Sequence, residues 1–414
     1  MKFDFDRVID RRSTNSMKWN VAEGELPMWV ADMDFATVPQ VTETLKKRAE
    51  HGLFGYAEVT DAWYEAVTSW WERRHGFSME KDWLIFSTGV VPTISSVVRK
   101  LTTPNENVVI QTPVYHIFFN SIINNGCRVL ENPLIYRDHA YAMDFEDLEK
   151  KLADPQTTLM ILCNPQNPAG KIWDRETLEK VGELCRKYHV TVICDEIHCD
   201  LTDPGKEYVP FASVSPVCRD ISITCIAPTK TFNLAGLQTS AVMVPDPFLR
   251  HKVWRALNTD EVAEPNAFAA EAAVAAYTYG APWLDELREY LLENKRTVEA
   301  FLADQLPEIA LVKSEATYLL WLDCGELLED RKMAGDSVSG TGTVSSKDVL
   351  ETAEELAGFI RAETGLYLSA GNEFGGNGPR FLRMNIACPR SVLNDGLRRL
   401  KAGCDAWQAE HGRE

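Results

Sequence analysis

From Trp83 onward the chain alternates short apolar runs with longer stretches in which apolar residues recur at helical spacing. Residues 83–87 (WLIFS), 107–111 (NVVIQ), 127–131 (CRVLE), 158–163 (TLMILC), 190–194 (VTVIC) and 221–226 (ISITCI) read as strands, with helices such as 175–188 between them. Nearly continuous apolar runs belong to strands buried on both faces. The pattern therefore predicts an α/β chain, with a largely parallel sheet covered by helices on both sides. In such sheets the loops leaving the carboxyl ends of the strands converge on the ligand site.

After about Ala281 the pattern changes. A long helix over 282–306, a strand at 318–323, a helix near 346–364 and a strand at 381–386 predict a smaller α+β domain. The expected division is an N-terminal segment, 1–45, belonging to the small domain, a large domain, 46–280, and the small domain proper, 281–414. Residues 329–346 (EDRKMAGDSVSGTGTVSS) are rich in Gly, Ser and Thr without periodicity and predict a surface insertion. No internal repeat is evident.

The 414 residues suffice for a substantial core. A net charge of −18 argues against nucleic acid or an anionic membrane as the main partner. Ten cysteines without a CxxC pair, several within apolar runs, predict buried free thiols rather than disulfides or a metal site. Met1 to Arg12 carries Asp4, Asp6 and Asp10 with no apolar core, and no later apolar run reaches the roughly 18 residues of a membrane span. A cytoplasmic protein is the expectation.

Candidate chemistry lies in the predicted loops. In Ala227-Pro-Thr-Lys-Thr-Phe-Asn-Leu-Ala-Gly-Leu237, Lys230 follows a strand among small and hydroxylic residues, where it can be desolvated and nucleophilic. Taken alone it would be a surface lysine, as most lysines are. Asp195-Glu-Ile-His198 ends another apolar run, and a carboxylate there could salt-bridge a protonated pyridine nitrogen. Asn164-Pro-Gln-Asn-Pro-Ala-Gly170 is a turn by composition, from which Asn167 could bond a ring hydroxyl. Ser87-Thr-Gly-Val-Val-Pro-Thr93 joins a strand to a helix, an arrangement that offers backbone amides to a phosphate.

These four segments, in this order, resemble fold-type I pyridoxal-phosphate (PLP) enzymes of the aspartate-aminotransferase superfamily. The branch they resemble most is that of the cystathionine β-lyases and cysteine-S-conjugate β-lyases, a group that includes a lyase repressing a maltose regulon. Its marks are Met28-Trp-Val-Ala-Asp-Met-Asp-Phe35, Thr112-Pro-Val-Tyr-His116, Asp195-Glu-Ile-His198, Lys230-Thr-Phe-Asn-Leu-Ala-Gly236 and Arg383-Met-Asn-Ile-Ala-Cys-Pro389. The resemblance covers nearly the whole chain apart from 329–346. It implies the PLP-dependent transferase fold, with a mostly parallel seven-stranded sheet in the large domain.

Residue by residue, the resemblance implies Lys230 as the Schiff-base lysine, Asp195 on the pyridine nitrogen and Asn167 on the ring oxygen. Tyr115 would stack on the ring. The phosphate would lie on the amides of Gly89 and Val90, the Thr229 hydroxyl, and Tyr56 of a neighbouring subunit, which implies a homodimer with shared active sites. Arg383, rather than Arg380, would clamp the substrate carboxylate, and Trp29, Asp32 and Tyr56 would line the substrate pocket. His198 stands where many aminotransferases have tyrosine, and Gln238 where many have a phosphate-binding arginine; both departures favour a lyase. The implied reaction is β-elimination from L-cystathionine or a related S-substituted cysteine, giving a thiol, pyruvate and ammonia, within methionine and cysteine metabolism. An aminotransferase of the same fold and a lyase-like regulatory binding protein are the alternatives.

Overall fold

The computed structural model describes residues 3–329 and 352–411. Most of the 329–346 insertion, and residues 346–351 of the helix expected near 346–364, lie outside the described residues; the described helix there is Ala353–Thr364.

Seven strands form the large sheet: β1 (Leu84–Ser87), β2 (Asn107–Ile110), β3 (Arg128–Glu131), β4 (Thr157–Cys163), β5 (Thr191–Asp195), β6 (Ser222–Ile226) and β7 (Ser240–Met243). Their spatial order is β1-β7-β6-β5-β4-β2-β3. Neighbours from β6 through β3 pair in parallel, whereas β7 is antiparallel to both β6 and β1. Side chains alternate between two buried faces. Met160, Leu162, Val192 and Cys194 enter one core, and Leu159, Ile161, Ile193, Ile223 and Cys225 the other. A strand buried on both sides has no polar face to alternate with, hence the continuous apolar runs.

The pairs Cys163 with Asp195 and Asp195 with Cys225 bring the carboxyl ends of β4, β5 and β6 to one edge. Ser240 opposite Ser87 brings the start of β7 and the end of β1 to that same edge. Helix α1 (Asp61–His75) lies ahead of the sheet in the chain. Helix α2 (Val90–Leu101) follows β1 directly, and α3 (Pro228–Thr231) follows β6, with a proline at the start where its missing N–H costs nothing.

Helix α4 (Ala281–Gln305) leads into a second sheet. Its strands are β8 (Ala310–Leu311), β9 (Leu319–Asp323), β10 (Ser369–Ala370) and β11 (Phe381–Asn385), ordered β8-β9-β11-β10 and all antiparallel. Helix Pro39–His51 runs through position 45, whereas one helix ends at Tyr279 and the next begins at Ala281.

The N-terminal segment ties the two sheets together. Leu26–Pro27 pairs in parallel with Leu366–Tyr367, and the Asn385 side chain donates to the carbonyls of Val30 (2.5 Å) and Asp32 (2.7 Å). From the other side Asn233, three residues after Lys230, donates to Met33 and Phe35 at 3.0 Å each. Residues 30–35 are thereby strapped between the small sheet and the lysine loop. All ten cysteines are buried and unpaired. Among the described residues no helix is long and apolar enough to cross a membrane.

Candidate active site

The loops at the shared sheet edge enclose a cavity of about 210 Å³. Gly89, Val90, Tyr115, Asn167, Asp195, His198, Thr229 and Lys230 all line it, so eight positions singled out in the sequence meet at one place. The turn carrying Asn167 closes at Gly170, whose φ of +67° favours glycine and whose added Cβ would lie 2.6 Å from the Ala316 carbonyl.

Lys230 points into this cavity, and its Nζ donates to the Ala31 carbonyl at 2.6 Å. Burial pushes its pKa down to about 8; the Arg383 charge adds to this, while Asp32 and Asp195 oppose it. Asp195 is buried and accepts one hydrogen bond, from the Ile197 amide at 3.2 Å. Burial raises its pKa to about 6, against the opposing influence of that amide and of Lys230. A buried carboxylate held so sparsely suits a cationic N–H partner.

His198 is kept neutral, its pKa driven down to about 3 by burial and by the charges of Lys230 and Arg383. Its Nδ1 is buried without a hydrogen-bond partner. Burial also raises the Tyr115 hydroxyl pKa. At the far end Gly89, Val90 and Val91 open α2, where the first amides of a helix have no partner within it. The donor set fits PLP: amides and a hydroxyl for a phosphate, a carboxylate for a ring nitrogen, an amide side chain for a ring oxygen, and an amine for the aldehyde.

Arg383 sits in β11 opposite Trp321 and Ser369. Its Nη1 donates to Asn167 Oδ1 (3.3 Å) and its Nη2 to the Trp29 carbonyl (3.0 Å) and Ser369 Oγ (3.4 Å). These acceptors are neutral, and Nε, also buried, has none. Burial lowers the pKa to about 10, which leaves the guanidinium charged at neutral pH. Among the described residues no carboxylate pairs with it, so an anion on a ligand is the missing partner. Arg380 lies in the turn before β11 and pairs with Asp323.

The remaining predicted positions fall around this core. Trp29 stacks on Tyr367 at 4.8 Å and meets Arg383 through its carbonyl. The Asp32 carboxylate is held by Arg11 at 2.7 Å and acts on Lys230 through its field rather than by contact. Tyr56 is fully exposed and does not join the cavity of its own chain. Sequence reasoning missed Ala31, Arg11, Ser369 and Tyr318, whose hydroxyl donates to the Ala31 carbonyl at 3.1 Å. The Asn233 anchor, three residues from Lys230, and the Asn385 anchor, two residues after Arg383, were local signals that could have pointed to the 30–35 strap.

Only the neutral amine attacks an aldehyde, so capture of PLP by the apoprotein should rise through a midpoint near 8, where an ordinary lysine would need about 10.5. Absorbance-monitored reconstitution between pH 6 and 10 measures it, and a midpoint above about 10 would contradict a desolvated Lys230.

The family model for aminotransferase class I and II matches residues 24–400. Cystathionine beta-lyase PatB of Bacillus subtilis (strain 168) is 44% identical over 96% of this chain and 99% of that protein. Protein MalY of Escherichia coli (strain K12) is 31% identical over 95% of this chain and 97% of its own length. The crystal structure of cystalysin from Treponema denticola, which contains a pyridoxal 5'-phosphate cofactor, superposes with a TM-score of 0.89 at 30% identity, covering 98% of this chain and all of that one.

Proposed function

The chain belongs to the aminotransferase class I and II family, and from that premise we propose that it is a PLP-dependent carbon–sulfur β-lyase. With water, it takes L-cystathionine or a related S-substituted cysteine to a thiol, pyruvate and ammonia. Its kinship to a cystathionine β-lyase along nearly the full length supports this. The observation that carries the reading is one cavity joining a depressed Lys230 amine, the sparsely bonded Asp195 and, through Asn167, an arginine that pairs with no carboxylate among the described residues.

When bound, PLP supplies an electron sink for a substrate carbanion. The protein's own residues do the rest. Arg383 would bind the α-carboxylate and so orient the substrate in the cavity. Lys230 would hold the cofactor aldehyde and, as a free amine, would take the Cα proton. Asp195 keeps the ring nitrogen protonated and Asn167 bonds the ring oxygen. His198, neutral and with a spare nitrogen, adds a polar contact without adding charge. Gly89, Val90 and Thr229 would hold the phosphate, Tyr115 would lie against the ring, and Trp29 and Asp32 would border the substrate side.

A homodimer is part of the proposal, because Tyr56 is exposed beside Phe54 and Leu53 and would complete the phosphate and substrate sites of a second copy. So are a cytoplasmic location, in keeping with ten unpaired cysteines, a role in methionine and cysteine metabolism, and the division of the chain at 45/46 and 280/281.

The test is an assay with L-cystathionine and no oxo-acid acceptor. Continuous pyruvate release over many turnovers is the expected outcome; a halt after one turnover would mean a transaminase.

A further inference from the structure

Two cavities outside this site, of about 400 and 650 Å³, adjoin through a shared wall of His75, Gly76, Glu207 and Tyr208. Arg73, Arg74, Arg288 and Lys206 line the first, and Arg175 and Arg219 the second. Against these six cations the walls carry two acids, Asp200 and Glu207, in a chain whose net charge is −18.

How the arginines are held matters more than their number. Arg73 donates to Ser69 Oγ and the Tyr277 carbonyl, and Arg175 to the carbonyls of Ser213 (3.3 Å) and Val214 (3.0 Å). Arg288 Nε donates to the Thr202 carbonyl at 2.6 Å. Neutral acceptors fix a guanidinium without cancelling its charge. Arg74 and Arg288 share one carboxylate, Asp285, at 2.8 and 3.9 Å. Burial, and next the like charge of Arg74, lower the Arg288 pKa. Lys206 and Arg219 have acidic partners in Glu315 and Asp220.

The floor of the first cavity could suggest a metal, since ligand atoms of His75, Cys199 and Asp200 lie within 4.8 Å of one another. The chemistry opposes it. Asp200 Oδ1 already accepts from Trp70 Nε1 and faces His75 Nε2, each at 3.0 Å, and Oδ2 accepts from Thr231 at 2.9 Å. A cation there would also sit among guanidiniums.

We propose that this groove binds a small polyanion, a polyphosphate or polycarboxylate, clamped by Arg73, Arg74 and Arg288, and that His75, Asp200 and Thr231 connect it to the active site. Thr231 follows Lys230 in α3, and Asp200 lies five residues beyond Asp195. His75 Nε2 and Thr231 Oγ1 meet on the two oxygens of the Asp200 carboxylate, so an anion that draws His75 towards it shifts the group holding Thr231, the residue after Lys230.

The experiment is calorimetric titration of the holoenzyme with pyrophosphate and, separately, citrate, at fixed ionic strength. Saturable binding of either is expected, the tighter ligand telling phosphate from carboxylate, with affinity about tenfold or more weaker in R73Q/R74Q and in the exposed-site variant K206E. Bound anion should also change KM or kcat for cystathionine in the parent but not in T231V. No saturable heat, heat unchanged in both charge variants, or binding of a polyglutamate peptide alone would overturn the site. An anion effect on kinetics that persists in T231V, or none in the parent, would overturn the connection.

Discussion

Lys230→Ala should lower pyruvate release from L-cystathionine by about 10⁴-fold or more, because the general base, worth about 10² to 10⁴ by itself, and the covalent anchor vanish together. The purified parent should be yellow, with a band near about 420 nm from its lysine-linked cofactor, and the variant should lose that band. A variant that processes cystathionine at the parent rate would sink the assignment. The physical ground is the amine's setting. Lys230 is desolvated enough to lie near 8, yet the Ala31 carbonyl at 2.6 Å fixes its nitrogen inside the cavity.

The same variant tests the shared site. Lys230→Ala mixed with Tyr56→Ala should, after subunit exchange, regain about one quarter of the parent activity. Half the dimers are then mixed, and one of their two sites carries neither change. Without regain, Tyr56 would not act across the interface.

Arg383→Ala carries the second large effect. Its buried guanidinium lacks a carboxylate partner among the described residues and is bonded only to neutral acceptors. Removing one member of a buried charge pair with the substrate costs about 2–5 kcal/mol, or about 30- to 4000-fold in affinity. The loss should appear mainly in KM. Arg383→Lys should recover only part of it, since an ammonium is a point charge without the planar fork. An unchanged KM in Arg383→Ala would remove the arginine from substrate binding, and an unchanged circular dichroism spectrum and melting temperature would show that the variant still folds.

Much of the large sheet was legible in the sequence because its strands are short apolar runs separated by amphipathic helices. All six runs read from Trp83 to Ile226 are strands, within a residue or two at their ends. Strand β7 was not read from periodicity; Ser240–Met243 has four residues, buried throughout. Its existence followed only from the family's seven-stranded sheet. The small sheet was half legible: Leu319–Asp323 and Phe381–Asn385 have apolar runs, whereas Ala310–Leu311 and Ser369–Ala370 are too short to show a period.

For the site, residues lying next to a strand end could be named in advance. Lys230, Asp195 and Asn167 each leave a parallel strand at the edge where loops must converge, so local pattern and sheet rules suffice. Local periodicity therefore dictates which segments form the sheet and which polar residues its edge collects, since backbone hydrogen bonding and burial follow it. How those residues behave depends instead on the folded arrangement. The depressed Lys230, the strap that sets Ala31 against it across 199 positions, Arg11 holding Asp32, and an Arg383 bonded to neutral acceptors all depend on contacts far apart in the chain. Desolvation and Coulomb interaction act through distance in space, which spacing along the chain does not encode.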